Sequence, residues 1–122
     1  MNVVVTIPKK RLADIEREEA DIKRRLAAGE KGVSYFWAMS RKPKELQAGD
    51  RMYFVWGGAL RAYHIVTGFR EALQCETTGQ KYKGCCVLLD PVIHEVEALA
   101  MEGFRGFRYF SGFLSRYKCA DG

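Results

Sequence analysis

Hydrophobic and polar positions recur at two different periods along this chain. The run Val3 to Thr6, VVVT, is β-branched and predicts a first strand over residues 2–6. Pro8 suits a first helical position. From Lys9 to Ala28 the apolar residues Leu12, Ile15, Ile22 and Leu26 recur at steps of three, seven and four, the narrow stripe of a helix whose other faces are charged. Glu19 with Lys23 and Asp21 with Arg25 are spaced for i,i+4 ion pairs, and Gly29 is a natural C-terminal stop. Strand signals then take over. Val33 to Ser40 predicts a second strand, Arg41 to Lys44 a basic connector, and Leu46 to Asp50 (LQAGD) a turn. Arg51 to Trp56 and Ala59 to Phe69 predict two strands joined by a Gly57-Gly58 hairpin turn. Residues 70–84 are polar and predict a loop or a broken helix. Cys85 to Leu89 is a continuous apolar run that predicts a buried strand, broken by Asp90-Pro91 and followed by a strand over Val92 to Ala98. The tail GFRGFRYFSGF, Gly103 to Phe113, fits a final strand bulged at Gly106 and equally an arginine- and aromatic-rich RNA-binding segment.

Five or six short strands linked by hairpins, with one early helix, predict an α+β fold. The expected architecture is a small mixed β-barrel of five to six strands with a flanking N-terminal helix, a single domain over residues 1–122. Closure into a barrel would leave no exposed strand edge. The 122 residues hold one hydrophobic core, and a hydrophobic fraction of 48% excludes wholesale disorder. No apolar run approaches the roughly 20 residues that span a bilayer. The start MNVVVTIPKKR carries its charges after the apolar run, the reverse of a secretory signal, so a cytoplasmic location is expected.

Charge changes the picture more than composition does. The formal net charge is +5, and the balance is uneven. Residues 32–102 carry eight basic and eight acidic side chains, so the whole excess lies in the two ends. A polyanion footprint would therefore be assembled from the chain termini and selected loops. The four cysteines, Cys75, Cys85, Cys86 and Cys119, form no CxxC pair, and His64 and His94 lack ligand spacing. No metal and no cofactor are expected. Trp37 and Trp56 fall on predicted strands among Tyr35, Phe36, Tyr53, Phe54 and Tyr63. They are either core residues or stacking platforms for a base, worth about 1–3 kcal/mol each in the second role. Arg41, Lys42 and Lys44 follow Trp37 on the connector, and Arg105 and Arg108 lie in the tail, where they suit phosphate contacts. Trp37, Trp56 and these five cations are the candidate nucleic-acid-binding set, with RNA or another single-stranded nucleic acid as the expected partner. A protein-interaction module with an exposed apolar patch is the bland alternative.

Several short motifs resemble the PUA-like superfamily, in particular its ASCH and EVE branches. The matching residues are Gly29-Glu30-Lys31 after the helix, Ala48-Gly49-Asp50 before the strand Arg51 to Trp56, and Ile65-Val66-Thr67-Gly68. The resemblance covers roughly residues 20–110 and implies a pseudo-barrel with a cleft beside the first helix and the next strand. It also implies a link to RNA or modified bases and, in some members, hydrolysis of nucleoside amides. Where the family usually continues into Glu and Arg, this chain reads Gly32 to Trp37, GVSYFW. The hydrolytic members have Lys-x-x-Thr here, and Lys31-Gly32-Val33-Ser34 keeps a lysine and a hydroxyl at that spacing. In a hydrolase Lys31 would accept the proton of Ser34 or of water, and Glu95 or Glu97 would return it to the leaving amine. Three is an odd step along a strand, so this arrangement requires irregular backbone at Gly32.

Overall fold

The computed structural model describes residues 1–33, 35–75 and 77–111, with the backbone alone described at residues 72, 74, 82 and 83. In chain order the elements are β1 (Val3–Thr6), a 3-10 turn (Lys9–Arg11), α1 (Leu12–Ala27), β2 (Tyr35–Met39), β3 (Arg51–Trp56), β4 (Ala59–Gln74), β5 (Lys81–Leu89), β6 (His94–Ala100) and β7 (Phe107–Tyr109). The strands form one mixed sheet in the order β2-β5-β4-β3-β1-β7, with β6 also paired to β4. Among the described residues only β1 and β3 run parallel, with Val3 opposite Met52 and Thr6 opposite Val55.

The central strands are buried on both faces, which explains their unbroken apolar runs. Val3 and Val5 enter one core with Met52, Phe54, Val66, Val87, Leu89 and the helix residues Ile15 and Ile22. Val4, Tyr53 and Val55 enter a second core on the opposite face with Leu60, Tyr63 and Val96. Alternation along a strand sends neighbours to opposite faces, so VVV and MYFV serve both cores at once.

Helix α1 ends as its glycine predicts. Gly29 has φ +78°, its N–H donates to Leu26 O, and Glu30 N–H donates to Arg25 O, the two bonds of a Schellman cap. The Arg25 charge acts on Asp21 as the i,i+4 spacing expects, and i,i+3 bonds accompany it. Arg17 bonds Asp14 at 3.0 Å and Arg24 bonds Asp21, both at i,i+3, while Glu19 turns inward to His64. Gly57 and Gly58, with φ +60° and +75°, make the two-residue turn between β3 and β4.

Two expectations are corrected. Residues 70–74 and 81–84, expected as loop or broken helix, are strand. β4 runs on to Gln74, β5 starts at Lys81, and Gln74 pairs with Lys81 across the turn. Backbone pairing across the hairpin holds these polar arms extended, and Cys75 and Thr77 at its tip bond Glu18 and Asp21 of α1.

The barrel does not close either: the sheet is open, with seven strands. β7 has three residues and is taken up by β1, while β2 pairs only with β5 among the described residues. Pro8 and Arg11 of the 3-10 turn stand between these two ends. β5 and β6 follow each other along one edge of β4, with Asp90 N–H bonded to Ile65 O where they meet. No helix among the described residues is long and apolar enough to cross a membrane.

Candidate functional site

The gap between the sheet ends forms a cleft of about 520 Å³. One wall is β2 and its continuation, Trp37 to Arg41, and the other is Arg105 to Phe107. Thr6, Pro8 and Arg11 make the back. Trp37 is half-buried and stands edge-on to Phe54 with ring centroids 5.3 Å apart, so its inner edge is held by the core. Three cations, Arg11, Arg41 and Arg105, share the cleft with this ring.

Deeper in, a recess of about 210 Å³ shares Arg11, Trp37 and Ala38 with that cleft and adds Ile15, Phe36 and Glu18. Glu18 is 7% exposed. The Cys75 thiol donates to its Oε1 at 3.4 Å, whereas Oε2 has no hydrogen-bond partner among the described residues. Burial pushes the Glu18 carboxyl above its ordinary range, against the smaller opposing effects of the thiol bond and the Arg11 charge.

A second pocket, about 290 Å³, lies between α1 and the sheet. Tyr35, Phe54 and Trp56 supply aromatic surface, and Glu16, Glu19, Glu95 and Lys23 supply charge. His64 is 1% exposed within it. Its Nδ1 is 2.7 Å from Asp90 O, which can only accept, so Nδ1 carries a proton. Its Nε2 is 3.0 Å from Glu19 Oε1. One further proton must therefore lie between His64 and Glu19, making an imidazolium–carboxylate pair or a neutral imidazole with a protonated acid. Tyr35 stacks at 4.9 Å on His64. Burial, reinforced by the charges of Glu19 and Glu18, drives the Tyr35 hydroxyl well above its ordinary range, so it stays protonated.

The residues singled out from the sequence are divided among several places. Trp37, Arg41 and Arg105 meet in the cleft between the sheet ends. Trp56 lies apart from them in the helix–sheet pocket, beside Glu95. Lys42 holds its ammonium over the Phe69 ring, 4.6 Å from the centroid, on a shallow surface that also includes Arg41 and Cys85. Lys44 is exposed on the connector and lines neither cleft. Arg108 lies over Phe104, 4.2 Å from its centroid, on the side of the second core. Lys31 is exposed beside Gly32, whose φ of +75° supplies the expected irregular backbone, but it is not among the side chains around Glu95. Ser34 and Cys119 lie outside the described residues.

Glu18, Glu19, His64 and Arg11 are the site residues that sequence reasoning misses. A signal for two of them exists. The apolar stripe of α1 skips from Ile15 to Ile22, and the positions three and four beyond Ile15, facing the same way, are Glu18 and Glu19. A glutamate pair on a buried helix face marks a site more directly than any aromatic in this chain.

Fold and clefts together define an α+β protein whose open mixed sheet leaves a basic, aromatic groove between its end strands. The chain belongs to the DUF1489 family, described as a protein of unknown function, whose pattern matches residues 4–113. No curated protein and no solved structure matches it.

Proposed function

We propose that this protein is a cytoplasmic PUA-like domain of the ASCH/EVE type that binds single-stranded RNA or a modified nucleotide in the cleft between β2 and β7. One observation carries the reading: Trp37, held at its inner edge by Phe54, shares a single cleft with Arg11, Arg41 and Arg105. A ring for the base and cations for the phosphates are the two elements that single-strand recognition requires. The test is retention of short single-stranded RNA at low salt. Trp37→Ala is expected to weaken binding by about 1–3 kcal/mol, and Trp56→Ala, in the other pocket, to leave it nearly unchanged. Absence of binding to any oligonucleotide or nucleoside at low salt would overturn the reading.

A second reading, hydrolysis of a nucleoside amide or of RNA, draws on the His64–Glu19 pair, which holds one mobile proton in an apolar pocket with Glu95 at its margin. It moves the acid–base chemistry away from Lys31 and Ser34. Release of acid from acylated nucleosides should then vanish in Glu19→Gln and survive in Lys31→Ala. The opposite pattern returns the chemistry to Lys31, and no turnover on a broad panel leaves binding alone.

A further inference from the structure

The recess behind Trp37 has a polarity of its own. An acceptor, Glu18, lies at its buried side. Arg11 is shared by recess and cleft, and Arg41 and Arg105 line the cleft. The remaining lining residues are Trp37, Phe36, Ala38 and Ile15, which include two aromatic rings. A matching ligand has an N–H-bearing edge at one end, a flat body, and a phosphate at the other.

We infer that the recess takes a guanine base, with Glu18 accepting from its N1–H and its 2-amino group while the cleft cations hold the flanking phosphates. This rests on the nucleic-acid reading of the cleft and deepens it. A buried carboxylate oxygen without a donor is costly, and a ligand that supplies the donor recovers that cost on binding. Glu18 fits this description: Oε2 is unpartnered among the described residues, and Oε1 receives only a thiol, a weak donor that leaves a lone pair unused. Oε2 thus lacks a donor, and Oε1 keeps a second lone pair.

The four bases differ in what they offer such a group. Guanine presents two adjacent donors on its Watson–Crick edge, the spacing a carboxylate accepts in a bidentate pair. Adenine and cytosine place an acceptor next to their amino group, and uracil flanks its single N–H with two carbonyls. In each of those three a lone pair would face the carboxylate inside a low-dielectric recess, where repulsion is strong. Preference for guanine therefore comes from exclusion as much as attraction.

The experiment uses the full chain and short oligouridine RNAs with one central guanosine, inosine, adenosine, cytidine or uridine. The guanosine RNA is expected to bind about tenfold or more tightly than the adenosine, cytidine and uridine RNAs. Inosine, which keeps N1–H and lacks the 2-amino group, should fall between. Glu18→Gln should abolish the guanosine preference, and Trp37→Ala should weaken all five RNAs together. The inosine comparison on the unaltered protein does not depend on how any variant folds. Equal affinity for all five, or a guanosine preference that survives in Glu18→Gln, overturns the inference and leaves the cleft reading in place. Failure to bind any of the five overturns both.

Discussion

Glu18 is a side chain that the fold accommodates at a cost. Burial raises its carboxyl above the ordinary glutamate value of 4.5. The native state therefore holds a proton more tightly than the unfolded chain does. Stability is greatest where both states are protonated, and it falls as pH climbs through the ordinary glutamate range towards the raised value. Glu18→Gln removes that titration. The variant is expected to melt above the unaltered protein at pH 7, with the gap closing at pH 4 and below, as thermal melts at the two values would reveal. A variant less stable than the parent at pH 7 would mean that the carboxylate is paid for in place. The neighbouring Glu19 instead faces His64 Nε2 at 3.0 Å. Two adjacent glutamates on one helix thus differ by what faces them: a thiol for Glu18, an imidazole for Glu19. Their presence on the buried face is legible in the sequence as the gap in the α1 stripe. Their partners are not, since Cys75 and His64 are 57 and 45 residues away.

Among the elements, β2 matters most, because it carries Trp37 and ends the sheet. Its attachment is a single ladder to β5, from Tyr35 opposite Leu89 to Met39 opposite Cys85. Gly84 sits at the end of that ladder with φ +86°, and a Cβ there would lie 2.7 Å from Met39 O and 3.2 Å from Ser40 O. Neither backbone atom can yield without opening the pairing. Gly84→Ala is expected to cost about 2 kcal/mol or more, from the disfavoured dihedral and the clash together. Gly68→Ala in β4 is the control: its added methyl would only touch Leu88 Cδ1 at 3.7 Å, and the change should stay within about 0.5 kcal/mol. Urea unfolding compares the two, and equal stability would show that the ladder end shifts freely. The same substitution should weaken RNA binding, since Trp37 and Arg41 hang from this strand. The long hairpin of β4 and β5 was hidden because its outer arms carry no apolar alternation, although their backbones pair from Glu71 opposite Cys85 to Gln74 opposite Lys81.

At the scale of the whole molecule, topology brings three distant arginines together. Arg11 follows β1, Arg41 follows β2, and Arg105 precedes β7, yet all three line one cleft because β1 lies between β3 and β7 at one end of the sheet. RNA affinity should fall as salt rises, and the slope of log affinity against log salt should shrink by about one for each of Arg41→Ala and Arg105→Ala. Arg108→Ala, on the other side of the sheet over Phe104, should leave the slope unchanged. A slope that ignores Arg41 and Arg105 would place the phosphate track elsewhere.

Local order was decided by the sequence itself. The Val3 to Thr6 run, the α1 stripe and its glycine stop, the Gly57-Gly58 turn and the strand Arg51 to Trp56 all stand where short-range patterns put them, because each depends on neighbours within a few residues. The α+β class follows from the same signals. Tertiary structure alone decided the rest. The parallel pairing of β1 with β3, the open sheet in place of a barrel, and the separation of Trp37 from Trp56 all depend on which distant segments pair. Barrel closure required β2 to meet β7, and the three residues of β7 offer a short edge for that pairing. A hydrophobic pattern tells a strand which face to bury, but it does not tell its edge which partner to take.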